Sequence, residues 1–142
     1  MVCVGLPGSG KSTWLARRGL PTISSDAMRQ MLADDITNQD IHRQVFHAVR
    51  YMVRERLKLG RPVTYVDATH LTPSERKPYL EIGRNDGCRV EALFFDVPVE
   101  VCQKRNRKRG RVVPPEVIER MAAKLVKPTR REGFFKVTAV RA

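Results

Sequence analysis

Short apolar runs alternate along this chain with longer segments whose apolar residues recur at helical spacing. The apolar runs are short enough for buried strands and cover residues 1–4, 22–24, 63–67, 89–95 and 134–140. Helices are predicted between them, at residues 11–18, 26–33, 39–59, 73–85, 98–106 and 115–127. Such alternation predicts an α/β fold in one domain of 142 residues, with a parallel sheet of about five strands and helices on both faces.

The segment that joins the first predicted strand to the first helix reads GLPGSGKST. It fits the phosphate-binding pattern of glycine, four residues, glycine, lysine and serine or threonine. Its glycines let backbone N–H groups approach phosphates, Lys11 adds a charge for the β- and γ-phosphates, and Ser12 offers a hydroxyl to Mg²⁺. The sequence therefore predicts a Walker A loop that binds ATP or another nucleoside triphosphate with Mg²⁺, through Gly5, Pro7, Gly8, Ser9, Gly10, Lys11, Ser12 and Thr13.

The charge of the chain is strongly basic, with 27 lysines and arginines against 15 acidic residues and a formal net charge of +12. A nucleotide needs only a few of these cations, so the excess favours a second polyanion such as DNA or RNA. The alternative is a basic surface that keeps the protein in solution.

The cysteines and the hydropathy indicate where such a protein works. Cys3, Cys88 and Cys102 show no CxxC spacing, which indicates neither disulfides nor a zinc site. No run of about 18 apolar residues is present to cross a membrane. We therefore expect a soluble, cytoplasmic protein with no membrane partner.

Asp26 and Arg29, which follow the second predicted strand, are candidates for the acceptor side of a phosphoryl transfer. Asp26 could accept a hydrogen bond from an acceptor hydroxyl and later its proton, for which an ordinary carboxylate suffices. Alternatively, Ser25 or Asp26 only caps the helix. Arg29, one helical turn further, could bind an acceptor phosphate through its planar guanidinium, or it could be a solvated helix residue.

The third strand ends on a carboxylate, Asp67, which we expect to hold Mg²⁺ or its waters beside the first strand. Thr69 and His70 follow in the loop and are candidate substrate-binding residues. The alternative for His70 is a loop histidine that is simply exposed. Because ligands bind at the carboxyl ends of parallel strands, we expect Gly5, Ser24, Asp67 and Asp96 to face one cavity.

Residues 104–111 read KRNRKRGR, in which six of eight residues are basic. They follow a strand and helix that should face the cavity, so we interpret them as a lid with Gly110 as its turn. Arg105 and Arg109 would share a face if the segment is helical, and both could then bind the transferring phosphate. The alternative is an ordinary solvated run.

Taken together, these stretches resemble the kinase domain of 5′-polynucleotide kinases, both the phage end-healing enzyme and the kinase module of bacterial RNA-repair enzymes. The resemblance covers most of the chain. It is carried by GLPGSGKST at 5–13, ISSDAMRQ at 23–30, VDATHLTPSERK at 66–77, FDVPVEVCQKRNRKRG at 95–110 and REGF at 131–134.

The resemblance implies transfer of the γ-phosphate of ATP to the 5′-OH end of DNA or RNA in end healing, with single-stranded or overhanging ends preferred. It assigns the general base to Asp26, an acceptor phosphate contact to Arg29 and donor phosphate contacts to Arg105 and Arg109. It differs at His70, where the family commonly has asparagine. The first strand begins at the first residue, which is expected of an excised domain or a minimal enzyme.

Two other functions are compatible with the same residues. The first is a P-loop kinase of a small hydroxyl metabolite or nucleoside, which would use Asp26 in the same way. The second is an NTP-dependent nucleic-acid-binding module, which would use the basic surface without a catalytic base. Asp26 and the paired lid arginines favour a kinase over the binding module.

Overall fold

A computed structural model describes residues 1–110 and 112–141, and within them five strands form one parallel sheet. The strands are β1 (Val2–Val4), β2 (Thr22–Ser24), β3 (Tyr65–Asp67), β4 (Glu91–Phe95) and β5 (Lys136–Val140), in the order β2-β3-β1-β4-β5. The central strand β1 places Val2 opposite Val66 of β3 and Ala92 of β4. The parallel α/β fold predicted from the sequence is confirmed.

Helices connect the strands and cover both faces of the sheet. They are α1 (Lys11–Arg17), α2 (Ser25–Ala33), α3 (His42–Lys58), α4 (Pro73–Asp86), α5 (Val99–Asn106) and α6 (Pro115–Lys124), with a 3₁₀ turn at Arg130–Glu132. Val2 and Val4 pack on one face with α3 and α4, whereas Cys3 packs on the other face with Leu15 of α1. Alternate side chains of a strand point to opposite faces, so the run MVCV serves two cores at once.

No helix in residues 1–110 and 112–141 is both long and apolar enough to cross a membrane.

The ends of several elements differ from the prediction. The helix α3 begins at His42 rather than at residue 39, and β5 begins at Lys136 rather than at residue 134. Phe134 is buried, but Phe135 is 50% exposed and lies under the guanidinium of Arg89. The prediction of a buried strand over residues 134–140 is therefore wrong for Phe135, which precedes β5 and is half exposed.

Candidate active site

A cavity of about 750 Å³ opens at the carboxyl ends of β1, β2 and β3. Its wall is formed by the phosphate-binding loop, the first turns of α2, the start of α3, the loop after β3 and the segment after α5. The structure brings most of the predicted site residues to this wall: Pro7, Gly8, Gly10, Lys11, Ser12, Thr13, Asp26, Arg29, Asp67, Thr69, Arg105 and Arg109. Gly5 and Ser9 do not line the cavity, but an oxygen of each contacts the Lys11 ammonium group.

Two glycines of the loop have backbone geometry that other residues adopt only with strain. Gly8 has φ +82° and Gly10 has φ +95°. A Cβ on Gly8 would also lie 2.3 Å from the carbonyl oxygen of Cys102 in α5. The loop is therefore packed directly against the helix that precedes the basic segment, and a side chain at Gly8 would displace one from the other.

Lys11 is held inside the loop by the loop's own oxygens. Its Nζ donates to the carbonyl oxygens of Gly5 and Leu6, each at 2.9 Å, and lies 3.4 Å from Ser9 Oγ. Burial lowers the pKa of Lys11, and the negative charge of Asp67 acts in the opposite direction. Among the residues that the structure describes, the buried ammonium group forms no ion pair with Asp67. A bound polyphosphate would place negative charge directly beside it and so favour the charged form of Lys11.

Ser12 and Asp67 bring two oxygen ligands together. The Ser12 hydroxyl donates to Asp67 Oδ2 at 2.6 Å, and Asp67 is only 6% exposed. In the described residues no group of three or more histidine, cysteine or acidic side chains is arranged for a metal. A Mg²⁺ ion fits this pair if phosphate oxygens and water complete its shell, since Mg²⁺ is usually held by one or two carboxylates plus substrate phosphates. The ion would neutralise charge that develops on the transferring phosphate.

Asp26 lies in the first turn of α2 and lines the cavity. The cap of this helix is Ser24, whose Oγ accepts a hydrogen bond from the backbone N–H of Ala27 at 3.2 Å. The alternative in which Ser25 or Asp26 caps the helix is therefore wrong, because the helix begins one residue earlier than predicted. Ser25 instead contacts the carbonyl oxygen of Asp67 at 3.4 Å. Ser24 therefore caps the helix, Ser25 contacts β3, and Asp26 lines the cavity.

Arg29 is buried, not solvated, since only 4% of its surface is exposed. Its Nη1 donates to the carbonyl oxygen of Asn38 at 2.9 Å, and within the described residues its Nε has no hydrogen-bond partner. A buried guanidinium with an unsatisfied donor is costly unless an anion joins it. The position of Arg29 on the cavity wall therefore favours an anionic ligand group beside it.

The basic segment reaches the cavity in a different shape from the one predicted. The helix α5 ends at Asn106, and the backbone N–H groups of Lys108 and Arg109 donate to the carbonyl oxygens of Arg105 and Asn106 in tight turns. Arg105 and Arg109 therefore do not share one helical face, yet both line the cavity. Arg111, the last residue of the predicted lid, lies outside the described residues.

Asn106 is a site-supporting residue that sequence reasoning missed. It is 1% exposed, its Nδ2 donates to the carbonyl oxygen of Val113, and its Oδ1 accepts from the Val113 N–H at 3.0 Å. These bonds join the last residue of α5 to Val113, two residues beyond the basic segment. The asparagine in KRNRKRGR was the available signal, because it is the uncharged polar side chain within a basic run.

His70 does not contact the cavity, which corrects the expectation that it binds substrate or is exposed. It is 2% exposed, and its Nδ1 lies 2.6 Å from the carbonyl oxygen of Cys3. Its ring packs against Phe46 and Tyr79, and burial lowers its pKa to about 4. Thr69 does line the cavity, and its carbonyl oxygen accepts from the Gly5 N–H at 3.0 Å.

Asp96 also departs from the expected arrangement. Ser24 and Asp67 line the main cavity as predicted, but Asp96 lines a neighbouring hollow of about 610 Å³ together with Val97, Pro98 and Arg141. The chain turns away after β4, where the Asp96 N–H donates to the carbonyl oxygen of Val140 at 3.0 Å. Strand ends of one sheet thus serve two separate hollows.

The far wall of the cavity consists of residues that no motif indicated. From the start of α3 and the loop before it come Thr37, Gln39, His42 and Phe46, and from the segment around α6 come Val112, Val113, Pro114, Val117 and Met121. His42 and Phe46 have ring centroids 4.7 Å apart. The available signal was the placement of two rings, four residues apart, in the first turns of the longest helix.

A parallel sheet with this strand order, a Walker A loop after β1 and a carboxylate at the end of the adjacent β3 define a P-loop kinase. A family model described as AAA domain (AAA_33) matches residues 1–128, and the chain belongs to this family.

Three known proteins show how broad the resemblance is. Human L-seryl-tRNA(Sec) kinase is 30% identical over 119 residues, which cover 82% of this chain but only 34% of that protein. A chain of the Pnkp1/Rnl/Hen1 RNA repair complex is 27% identical with a TM-score of 0.73, covering 87% of this chain and 42% of that one. A gluconokinase from Sinorhizobium meliloti, 22% identical with a TM-score of 0.63 over 99% of this chain and 80% of its own, shares the fold.

Proposed function

We propose that this chain transfers the γ-phosphate of ATP to the 5′-hydroxyl of a DNA or RNA strand, with Mg²⁺. In the proposed reaction the acceptor hydroxyl attacks the γ-phosphorus, the bond to the β,γ-bridging oxygen breaks, and ADP leaves. The hydroxyl proton passes to the Asp26 carboxylate and then to solvent. Lys11, Arg105 and Arg109 stabilise the charge on the phosphates, which is the main protein contribution to such transfers.

The observation that carries the proposal is the buried Arg29 on the acceptor side of the cavity. It stands three residues after Asp26 on α2, so an acceptor hydroxyl at Asp26 leaves Arg29 one helical turn away. In a nucleic acid strand, the phosphate on the 3′ side of the terminal nucleoside is the anion nearest to the 5′-hydroxyl. The unsatisfied guanidinium is suited to that phosphate, because arginine binds phosphates with paired, charge-assisted hydrogen bonds.

Similarity to the RNA repair complex supports a nucleic acid acceptor, and the seryl-tRNA relative supports a second candidate of related kind. That candidate is phosphorylation of a hydroxyl on an amino acid esterified to tRNA, favoured by the 30% identity to the human kinase. The chain spans 34% of that kinase and 42% of the repair-complex chain, so coverage does not separate the two candidates. The position of Arg29 one helical turn from Asp26 favours a strand, which carries a phosphate beside its terminal nucleoside. We therefore rank the 5′-hydroxyl of a strand first.

The direct experiment is incubation of the purified chain with γ-labelled ATP and a panel of acceptors. The panel contains a 5′-OH oligoribonucleotide, a 5′-OH oligodeoxynucleotide, seryl-tRNA and gluconate. We expect label on both oligonucleotides. On the DNA product the label should survive the mild alkaline treatment that removes an amino acid from tRNA. Label that mild alkali releases from tRNA as phosphoserine would instead select the second candidate, and label on gluconate alone would select a metabolite kinase.

Arg29 supplies a second, more specific test. Wild-type protein should phosphorylate a nucleoside 3′-monophosphate with a KM at least about tenfold below that of the nucleoside, the equivalent of about 1.4 kcal/mol for one charge-assisted contact. Arg29→Gln should abolish this preference while leaving the KM for ATP near its original value, and Arg29→Lys should restore part of it. Equal KM values for the two acceptors in the wild type would remove the assigned role of Arg29.

A further inference from the structure

The outer side of α3 carries a row of basic residues that the candidate active site does not use. Arg43, His47, Arg50, Arg54 and Lys58 follow one another at spacings of four, three, four and four residues, which places them on one side of the helix. We call this row the α3 stripe. The opposite side of the helix holds Val45, Val49 and Val53, which are buried in the core. Arg43, His47 and Lys58 are exposed and Arg50 and Arg54 are partly exposed, so the stripe lies on the side of the helix away from the buried valines.

The stripe has little negative charge to balance it. The helix α3 contains one acidic residue, Glu55, which pairs with Lys58 at 3.0 Å. Within the part of the chain that the structure describes, Arg43, Arg50 and Arg54 form no ion pair, since the remaining pairs are Arg76 with Glu132 and Lys77 with Glu81. A solvated helix face normally mixes both signs at spacings of three or four. This face does not, and its charge is complementary to a polyanion.

The stripe is continuous with the cavity at its N-terminal end. His42 and Phe46, in the first turns of α3, line the cavity wall, and Arg43 follows His42 directly. From Arg43 to Lys58 the helix rises about 22 Å, which takes the stripe well outside the cavity. The paired rings of His42 and Phe46 lie between the acceptor side of the cavity and the first cation. Such rings are a common stacking surface for a nucleobase beside a basic track.

We propose that the α3 stripe binds the sugar-phosphate backbone of a single-stranded nucleic acid whose 5′ end enters the cavity. This rests on the proposed function and names how its substrate is held. Arg50 and Arg54 contact backbone phosphates beyond the terminal nucleotides, and His42 with Phe46 stacks a base near the cavity mouth. Because the contacts are to phosphates, binding through the stripe is independent of sequence and sensitive to salt.

The test is equilibrium binding of a fluorescent 12-nucleotide strand, without ATP, over a range of salt concentrations. Each lost phosphate contact should reduce the slope of log affinity against log salt by about 0.7, so Arg50→Ala with Arg54→Ala should reduce it by about 1.4. If the variant and the wild type bind equally at 1 M salt, this difference in slope makes the variant bind about 25-fold more weakly than the wild type at 0.1 M salt. The matched control is Arg84→Ala with Arg131→Ala, which removes the same charge from two exposed arginines on other elements.

Several outcomes would overturn the stripe. Equal weakening in both double variants would show a general charge effect, and wild-type affinity that does not rise from a 2- to a 12-nucleotide strand would remove the extended contact. Polyglutamate binding as tightly as the strand would assign the face to an acidic protein. If the thermal unfolding temperature of the Arg50/Arg54 variant falls, Arg43→Ala with Lys58→Ala tests the exposed ends of the stripe instead.

Turnover separates this proposal from the one on which it rests. Phosphorylation of a nucleoside 3′-monophosphate, which is too short to reach the stripe, should have the same KM in the Arg50/Arg54 variant and the wild type. If the wild type phosphorylates neither short nor long acceptors but still binds the strand with the expected salt dependence, the proposed function is contradicted and the stripe proposal stands. Phosphorylation of long strands with an unchanged KM in the variant would contradict the stripe alone.

Discussion

Ser12 and Asp67 are separated by 55 residues in the chain, yet their side chains share a hydrogen bond of 2.6 Å. The contact exists because β1 and β3 are adjacent parallel strands, so the loop after β1 and the last residue of β3 meet at the same edge of the sheet. The Asp67 charge also opposes the lowering of the Lys11 pKa by burial. One carboxylate thus faces both groups of the Walker A loop that are expected to handle metal and phosphate.

Replacement of Asp67 by asparagine should raise the Mg²⁺ concentration needed for half-maximal activity by about 10- to 100-fold, the usual range for residues that hold or orient a metal shell. The measurement is initial rate against Mg²⁺ at fixed ATP and acceptor. Asp96→Asn is the matched control, since Asp96 follows β4 at the same edge of the sheet but lines the neighbouring hollow. An unchanged Mg²⁺ requirement in Asp67→Asn would show that this carboxylate is not part of a metal site.

Asp26 is expected to act on the acceptor and not on ATP. Asp26→Asn keeps the shape of the side chain but removes its capacity to accept the hydroxyl proton, so turnover should fall by about 10² to 10⁴. The KM for ATP should stay near its wild-type value. Single-turnover rates with a 5′-OH oligonucleotide measure the effect, and Gln30→Ala, at an exposed position on the same helix, is the control. A variant with nearly wild-type turnover would leave Asp26 without a role as base.

The elements of the fold could be predicted because their causes are local. The run MVCV is apolar on both sides of the strand, and the glycines and Lys11 that follow fit only a strand, loop and helix. Thr72 and Pro73 supply a cap and a first helical residue, and α4 begins at Pro73 as predicted. The proximity of the Walker A loop and Asp67 could also be predicted, since both follow neighbouring parallel strands and the carboxyl ends of such strands lie at one edge of the sheet.

The environments of His70, Arg29 and Asn106 could not be predicted, because each depends on segments distant in the chain. His70 reads as a loop residue after β3, but Phe46 of α3 and Tyr79 of α4 enclose its ring. Arg29 reads as a surface residue of a short helix, but the loop that contains Asn38 covers it. Helical periodicity gives the face of a helix and not the partner that later packs on it.

A buried ion pair joins two stretches of the chain that lie far apart in sequence. Arg76 is fully buried, and its Nε and Nη2 donate to the two carboxylate oxygens of Glu132 at 2.8 and 2.9 Å. Its Nη1 donates to the carbonyl oxygen of His70 at 2.8 Å, which links the pair to the loop after β3. The pair therefore connects α4, the 3₁₀ turn before β5 and the backbone beside the cavity.

Glu132→Ala should lower the free energy of unfolding by about 3–5 kcal/mol, because it leaves a buried guanidinium without its carboxylate. Urea unfolding followed by circular dichroism measures this. Glu81→Ala is the control, because it breaks the exposed pair with Lys77 at 4.0 Å and should cost less than about 1 kcal/mol. Losses of equal size in the two variants would mean that the Arg76 pair contributes no more than a surface contact.

His70 should make the stability of the protein depend on pH over a defined window. Burial lowers the pKa of its imidazole from 6.5 to about 4 in the folded protein. Between these values the unfolded chain binds a proton that the folded chain does not, so stability rises with pH across the window and is lost as pH falls from 6.5 towards 4. At about 1.4 kcal/mol for each pH unit, the loss at pH 5 is about 2 kcal/mol relative to pH 7.5.

His70→Asn should remove this contribution, since asparagine does not titrate. The measurement is the free energy of urea unfolding at pH 7.5 and pH 5, in wild type and variant, so that other titrating groups cancel in the difference. His47→Asn is the control, because it removes an exposed imidazole from α3 and should keep the wild-type acid dependence. Parallel losses in wild type and His70→Asn would show that the buried ring takes up its proton without unfolding. A shallower loss in His70→Asn than in the wild type would place the acid sensitivity at the burial of the His70 ring.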